Sequence, residues 1–177
     1  METMTAIPAA SLKQQKGDAR SGKYLTFYLG AEEFAIQVLR VREIIGVLGI
    51  NAVPQTPAYV KGVVNLRGKV VPVVDLRLKF GLPELEHTER TCIIVVQIEV
   101  ARIEVEGSGH LQMGVIVDAV TEVLTLQSAD IENTPDFGGG VALPYLLGMA
   151  KIKGQVKILL DINGVLSAQE AASLRSL

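Results

Sequence analysis

The chain has 177 residues, of which 49% are hydrophobic and 20% are charged, and its formal net charge is −2. This length fits one compact domain or two very small ones, and a chain of this size needs no disulfide or metal to fold. The charge balance argues against a dedicated nucleic-acid-binding protein, and the single cysteine, Cys92, excludes an intrachain disulfide and favours a reducing, cytoplasmic location.

Residues 1–22 precede the first strand-like pattern and contain no aromatic residue and no regular hydrophobic period. We interpret them as a disordered tail, because such a segment has too little apolar surface to offset the entropy of ordering it. The segment also lacks the apolar core of a secretory signal. The longest aliphatic runs of the chain hold about five residues, against the ~18 that a membrane-spanning helix needs, so no direct membrane insertion is expected.

The first half of the chain reads as short strands joined by turns. Thr56 and Gly62 suggest one helical turn, with Thr56 as its N-cap and Gly62 as its end. The dipeptide Arg67-Gly68 is predicted to join two strands as a tight turn, and a short helix over 75–81 follows. The predicted strands are 24–29, 34–38, 41–45, 63–66 and 69–74.

The second half repeats this order of elements. The last two of its strands are joined by a predicted turn at Lys153-Gly154, and a helical segment over 161–174 follows, with a capping box formed by Ser167 and Glu170. A polar linker over 101–110 and a longer loop over 127–140 separate the strands. The predicted strands are 91–100, 111–117, 145–152 and 155–160.

An internal repeat relates the two halves. Residues 59–80 align without a gap on residues 145–166, and residues 34–45 align on residues 113–124. Each copy therefore reads as a hairpin, a strand, a loop, a second hairpin and a short helix, with Asp75 or Asp161 as the predicted N-cap of that helix. Short strands with frequent turns in a unit of this size predict a small β-barrel. The two copies extend over about 24–81 and about 91–166.

Features that both copies share are expected to serve the fold, and features of one copy only are better candidates for function. Arg67 is the best polar candidate, since a hairpin tip displays its side chain and arginine is enriched at interface hot spots. A solvated turn arginine is the plainer alternative. Three residues of the first copy stand out against their counterparts in the second: Asn65 (Lys151), Arg67 (Lys153) and Pro72 (Ile158).

Glu43 and Pro72 each allow a structural prediction. Glu43 lies on an otherwise apolar strand, where a carboxylate needs a partner, and we hypothesise that it pairs with Arg67 and orients the guanidinium. If exposed, such a pair contributes only about 0–1 kcal/mol to stability. Pro72 lacks a backbone N–H, and this predicts a position at a strand edge or a bulge.

No motif for catalysis, metal binding or phosphate binding is found. Gly107 and Gly109 lie in a polar linker with no apolar helix behind them, so they fail the test for a dinucleotide site. His87 and His110 lie in loops and, with one cysteine, form no usual zinc set. Cys92 begins an apolar strand and reads as a buried, inert thiol. No catalytic residue, metal site or cofactor is therefore predicted, and the chain is not expected to be an enzyme.

Five segments together form a longer pattern: 41–45 (VREII), 53–54 (VP), 59–81 around the block Asn65-Leu-Arg-Gly68, 114–123 (GVIVDAVTEV) and 158–162 (ILLDI). With this pattern, which extends over about residues 24–166, the chain resembles the CheW family of bacterial chemotaxis coupling proteins. The resemblance implies a mainly β fold of two intertwined, SH3-like five-stranded barrels with short helices, in agreement with the internal repeat.

The resemblance also implies a non-enzymatic adaptor. It would couple the cytoplasmic tips of methyl-accepting chemotaxis receptors to the regulatory domain of the histidine kinase CheA. Such an adaptor is cytoplasmic and is recruited to membrane-associated receptor arrays by its partners. An apolar groove between the barrels would receive a receptor helix, with Ile44 among its lining residues. The protein-binding positions carried over by motif are Val41, Glu43, Ile44, Gly62, Asn65, Arg67 and Gly68.

The predicted organisation is a tail over 1–22, a CheW-like domain over 23–166 and a C-terminal helix or tail over 167–177. Two alternative functions stay open. The first is a coupling-like adaptor for a kinase pathway unrelated to motility, which the sequence does not separate from chemotaxis. The second is a small barrel that binds single-stranded nucleic acid or an oligosaccharide. The net charge and the few aromatic residues argue against nucleic acid.

Overall fold

The structure is a computed structural model that describes residues 19–47, 49–99, 109–133 and 144–177. Within these ranges the chain forms eleven strands, three short 3-10 turns and two helices, α1 (Leu76–Lys79) and α2 (Ala168–Arg175). Most of the predicted tail, most of the linker over 101–110 and part of the loop over 127–140 lie outside the described residues.

The strands fall into two groups along the chain, one for each copy of the repeat. Those of the first copy are β1 (Gly22–Leu29), β2 (Glu32–Gln37), β3 (Val41–Gly46), β4 (Val60–Leu66) and β5 (Lys69–Asp75). Those of the second copy are β6 (Cys92–Glu99), β7 (His110–Val117), β8 (Ala119–Leu126), β9 (Ile131–Glu132), β10 (Leu146–Ile152) and β11 (Gln155–Leu160).

The two copies exchange strands. The first sheet has the order β8-β1-β2-β11-β10-β9, and the second has the order β3-β6-β7-β5-β4. Each sheet thus takes one hairpin from one copy and its remaining strands from the other. In each sheet a parallel pair joins the copies, β2 with β11 and β5 with β7. This topology confirms the predicted pair of interlocked barrels, and the two-residue strand β9 gives the first sheet a sixth strand.

Apolar side chains form one large cluster shared by both sheets and one smaller cluster within each sheet. The shared cluster contains a series of neighbouring rings from Phe27 to Phe34, Phe80 and Tyr145, with centroids 6.1, 6.0 and 5.0 Å apart. Because these rings come from both copies, removing them from water stabilises the association of the two barrels as well as each barrel itself.

Several turn and cap predictions are confirmed. Arg67 and Gly68 have φ values of 51° and 85°, and Lys153 and Gly154 have 52° and 79°, so both hairpins turn through two left-handed residues. The side chains of Asp75 and Asp161 each accept an N–H bond at the start of a helical turn. The predicted capping box of Ser167 and Glu170 begins α2, although a 3-10 turn over Ile162–Gly164 and a break precede this helix.

The helical turn predicted over 56–62 is reduced to one hydrogen-bonded turn, in which the N–H of Val60 donates to the carbonyl of Pro57 at 3.0 Å, and its predicted boundaries at Thr56 and Gly62 are wrong. Thr56 Oγ1 donates to the carbonyl of Val53 at 2.9 Å, and strand β4 already begins at Val60. Gly62 lies at an irregular register step within β4, with φ 143°, and a Cβ there would lie 2.0 Å from the carbonyl oxygen of Asn51. The glycine is thus required by a close backbone approach, and not by the end of a helix.

Pro72 lies in β5, which is an interior strand of the second sheet. The parallel pairing of β5 with β7 begins one residue later, at Val73 opposite Gly114. The missing N–H of Pro72 therefore falls where β5 is locally an edge, in line with the prediction from its residue type.

Candidate functional site

The hairpin between β4 and β5 displays Arg67. The side-chain oxygen of Asn65 accepts the N–H of Gly68 at 2.8 Å and closes the turn. Arg67 occupies the first left-handed position of this turn, and its side chain is 82% exposed. The turn is thus closed by a side-chain hydrogen bond, and the Arg67 side chain at its tip extends into solvent and not into the core.

Glu43 holds the guanidinium of Arg67 in one orientation. The two terminal nitrogens of Arg67 donate to Oε1 and Oε2 of Glu43, each at 3.1 Å. This is a bidentate pair, the geometry in which arginine recognises a carboxylate with defined direction. Strands β3 and β4 lie at opposite ends of the second sheet, so the pair also connects the two edges of the curled sheet. The predicted pairing is confirmed.

A shallow depression of about 450 Å³ surrounds this pair, lined by Arg42, Glu43, Leu66, Arg67, Lys69 and Gln112. Its lining contains three cationic side chains and one carboxylate, so the net local charge is positive. On strands β3 and β5, which contribute to this lining, the apolar residues Ile44 and Val70 are also exposed, by 47% and 56%. A cationic depression of this kind suits a partner protein surface that presents a carboxylate.

The predicted site residues fall into two groups. Glu43, Asn65, Arg67 and Gly68 come together at the hairpin tip, and Ile44 is exposed on the adjacent strand β3. Val41 packs partly buried against the shared cluster. Gly62 lies at the close approach to Asn51, away from the tip. Val41 and Gly62 therefore have structural explanations.

Four residues near the tip were not singled out from the sequence: Arg42, Lys69, Val70 and Gln112. Lys69 and Val70 directly follow the turn dipeptide, so their position beside Arg67 was a usable signal. Arg42 and Gln112 lie on β3 and β7, and only the order of strands in the sheet brings them to the same depression.

The second copy does not reproduce this site. Lys153 occupies the turn position equivalent to Arg67, with nearly the same φ, and Glu122 is the equivalent of Glu43. In the part of the chain that the structure describes, Lys153 makes no ion pair. Glu122 instead lies 4.0 Å from the buried Lys157, whose ammonium contacts Glu33. The bidentate pair is thus a feature of the first copy, consistent with the argument that such features serve function.

A second polar cluster fastens α2 to the start of β4. The hydroxyl of Tyr59 donates to Glu170 at 2.7 Å, and the ammonium of Lys79 contacts the same carboxylate oxygen and lies 4.6 Å from the centre of the Tyr59 ring. Burial and the hydrogen bond to Glu170 raise the pKa of Tyr59 to about 12. The Tyr59 hydroxyl thus stays protonated near neutral pH.

The same contacts act on Glu170 in the opposite direction. Burial favours the neutral carboxyl, but the hydrogen bonds from Lys79, the Ser167 amide and Tyr59 outweigh it and lower the pKa of Glu170 to about 2. A group that stays ionised in this way is suited to holding a helix in place, and not to exchanging protons with a substrate.

The described residues contain no group of three or more His, Cys, Asp or Glu side chains that could hold a metal ion. Burial raises the pKa of the Cys92 thiol, which makes it a weak nucleophile. No helix among the described residues is long and apolar enough to cross a membrane.

The fold and sequence are similar to those of known proteins. A family model described as the CheW-like domain matches residues 23–170. The chemotaxis protein CheW of Klebsiella aerogenes is 35% identical over 163 residues, 92% of this chain and 92% of that protein. The CheW of Rhizobium meliloti is 35% identical over 146 residues, 82% of this chain and 88% of that protein.

A solved structure gives the same result for the fold. The scaffolding protein TtCheW from Thermoanaerobacter tengcongensis matches with a TM-score of 0.70 and 28% sequence identity, over 85% of this chain and 97% of that chain. Since the match covers nearly all of that chain, the two interlocked barrels are the common architecture.

Proposed function

The chain belongs to the CheW-like domain family of chemotaxis scaffold proteins, and on this premise we propose that it is a non-enzymatic adaptor that couples methyl-accepting chemotaxis receptors to the histidine kinase CheA. In this proposal the adaptor works in the cytoplasm. It reaches the membrane-associated receptor arrays through its partners and uses no cofactor.

The observation that carries the proposal is the exposed, oriented guanidinium of Arg67. An exposed ion pair of this kind contributes only about 0–1 kcal/mol to stability. Yet the Asn65 cap, the left-handed turn and the bidentate contact with Glu43 all hold this side chain at the surface. Presentation of a cation to a partner explains this arrangement better than the stability of the fold does.

We assign Arg67 and Glu43 to the contact with the regulatory domain of the kinase. Arginine in a defined orientation is a frequent hot spot of protein interfaces. Lys69 and Arg42 add positive charge around it and would increase the rate of encounter with an acidic surface. Ile44 is assigned to an apolar groove that receives a receptor helix. Asn65 and Gly68 would act by shaping the turn.

Titration calorimetry with the regulatory domain of a CheA-type kinase tests the proposal. We expect Arg67→Glu to weaken binding about tenfold or more, as the loss of a hot-spot arginine does. The matched control is Lys153→Glu, which makes the same charge change at the equivalent, exposed turn position of the second copy. This control should bind like the wild type.

The outcomes separate the adaptor function from the role of Arg67. If both variants bind the kinase domain with the affinity of the wild-type protein, the adaptor function stands but Arg67 is not part of the kinase contact. No binding by the wild-type protein to the kinase domain, together with no capture by a receptor-tip fragment, would overturn the proposed coupling. Circular dichroism spectra and melting temperatures of all variants control for their folding.

A further inference from the structure

The chain crosses from one barrel to the other at two equivalent places. In the first copy it leaves β2 in the first sheet and enters β3 in the second sheet through the 3-10 turn Val38–Arg40. In the second copy it leaves β7 in the second sheet and enters β8 in the first sheet at Asp118. The contacts at these two crossovers affect how the barrels are oriented relative to each other.

The crossover at Asp118 is tied to both sheets. Its backbone N–H donates to the carbonyl of Tyr28 at 3.0 Å, and its carboxylate accepts the N–H of Gly30 at 2.6 Å, both at the end of the β1–β2 hairpin. The same carboxylate accepts from Nε of Arg77 at 2.7 Å and from one of the terminal nitrogens of Arg77. Arg77 lies in α1, directly after β5 of the second sheet.

Arg77 is itself held in place from several sides. Its side chain is only 8% exposed. Its backbone N–H donates to the side chain of Asp75 at 2.9 Å, and another guanidinium nitrogen donates to the carbonyl of Pro83 at 3.2 Å. A bidentate pair in such a sheltered position is both stronger and more directional than an exposed one. One carboxylate thus joins a hairpin end, a crossover and a helix.

Among the residues that the structure describes, the crossover at Val38–Arg40 has no comparable ion pair. Leu39 occupies the position equivalent to Asp118 and is 69% exposed, and Asn163 occupies the position equivalent to Arg77. The Asn163 side chain accepts the N–H of Glu99 at 2.9 Å, a neutral hydrogen bond. Arg40 makes one contact with Glu99 at 3.3 Å, and the Glu99 side chain is 60% exposed. Screening by water makes such a pair weak.

We propose that the Arg77–Asp118 pair is the positioning contact that fixes the orientation of one barrel relative to the other, and that the crossover at Val38–Arg40 is the compliant one. The consequence for coupling rests on the proposed adaptor function: partners that dock on different barrels are held at one angle by this pair. The geometry itself is testable on the protein alone, without any partner.

The test measures the distance between the barrels by pulsed electron paramagnetic resonance. Spin labels are placed at Val70→Cys and Val156→Cys in a Cys92→Ser background. These two positions are equivalent in the repeat, belong to different sheets and are 56% and 49% exposed. In this background Asp118→Asn, which keeps the shape but removes the charge, is expected to broaden the distance distribution and to shift its mean.

Two further variants make the result specific. Asp118→Glu keeps a carboxylate and is expected to give a distribution nearer to that of the wild type. Glu99→Gln removes the ion pair at the other crossover and should leave the distribution unchanged. If Asp118→Asn does not fold, Arg77→Lys serves instead, because it keeps the charge, loses the bidentate geometry and is expected to broaden the distribution.

The proposal is overturned if the folded Asp118→Asn or Arg77→Lys protein gives the wild-type distribution, or if Glu99→Gln broadens the distribution as much as they do. These outcomes do not depend on kinase or receptor binding. The calorimetric test with the kinase domain therefore fails or succeeds separately from this one, and the two proposals remain distinguishable.

Discussion

The Glu43–Arg67 pair lies at the surface, where its effect on binding and its effect on stability separate. A double-mutant cycle with Glu43→Gln, Arg67→Gln and the double variant measures both. Each single change should alter the free energy of unfolding by less than about 1 kcal/mol, because the pair is exposed. Kinase-domain binding should show coupling, since Glu43 orients Arg67 within the proposed contact. Independent, additive effects on binding affinity would contradict this role.

Glu170 predicts a pH dependence of stability. Its pKa of about 2 lies below the ordinary value of 4.5, so the folded state favours the ionised form. The resulting stabilisation is complete above about pH 4.5 and disappears as the pH falls towards 2. Glu170→Gln keeps an acceptor for the capping box but has no charge. The stability difference between wild type and this variant should therefore shrink over that interval in urea unfolding at several pH values.

Tyr59→Phe provides the control for this titration. Removing the hydroxyl takes one hydrogen bond from Glu170, so the pKa of Glu170 should rise and the loss of stability should begin at higher pH. An acid unfolding profile identical to that of the wild type would show that the hydroxyl does not help to hold the carboxylate ionised.

These residues also show what single-residue reasoning from sequence achieves. The Glu43–Arg67 pair was predictable because each residue was anomalous in its own segment, a carboxylate on an apolar strand and an arginine at a turn. The clusters of Tyr59 with Glu170 and of Lys157 with Glu33 were not, because their partners lie 111 and 124 positions apart. No local pattern marks either residue of such a pair.

Among the elements, β4 depends on the glycine at its irregular register step. Gly62→Ala places a Cβ 2.0 Å from a backbone oxygen at a φ of 143°, and neither the oxygen nor the strand can move without disturbing the pairing of Asn51 with Val63. We expect a destabilisation of about 2–4 kcal/mol, measured by urea unfolding.

Gly46→Ala is the matched control for this substitution. It changes the same residue type on a strand of the same sheet, but a Cβ at Gly46 meets no atom within 4 Å and the backbone there has no positive φ. Its effect should stay within about 0.5 kcal/mol. Equal effects of the two substitutions would contradict the explanation by close approach.

The same region shows why some elements were predictable and others were not. The hairpins followed from Gly68 and Gly154, because a two-residue turn with positive φ leaves few other choices of residue. Thr56 and Gly62 were misread as helix boundaries because threonine and glycine also occur in turns and at irregular steps of strands. At Gly62 the structural role is set by the close approach of the Asn51 backbone, which is a contact between separate segments that no local pattern reveals.

On the scale of the whole molecule, the internal repeat made two barrels predictable but not which strands share a sheet. Strand exchange requires that β2 pairs with β11 and β5 with β7. These pairings join residues far apart in sequence and leave no local signature. The resemblance of motifs such as the block Asn65-Leu-Arg-Gly68 supplied the interlocked arrangement that the residue pattern alone did not.

Because the two barrels are equivalent, the residues of one show which side chains the other can accommodate at the same position. Lys157 and Glu33 form an ion pair in the first sheet, with side chains 5% and 9% exposed. The equivalent residues of the second sheet are Val71 and Gln112, of which Val71 is fully buried. The same architecture therefore accommodates an uncharged pair at this place. Buried ion pairs can often be replaced by apolar groups without loss, whereas removing one partner is costly.

This comparison predicts non-additive effects of substitution. Lys157→Val alone leaves the Glu33 carboxylate buried without its cation and should cost about 3–5 kcal/mol in the free energy of unfolding. The double variant Lys157→Val with Glu33→Gln copies the second sheet and should recover most of that loss, because no buried charge remains unpaired. Lys151→Val, at an exposed lysine of the neighbouring strand β10, is the control and should change stability by no more than about 0.5 kcal/mol. If the double variant is as unstable as Lys157→Val, the surroundings of this pair in the first barrel require the charged residues. The residues of the second barrel then do not fit the equivalent position of the first.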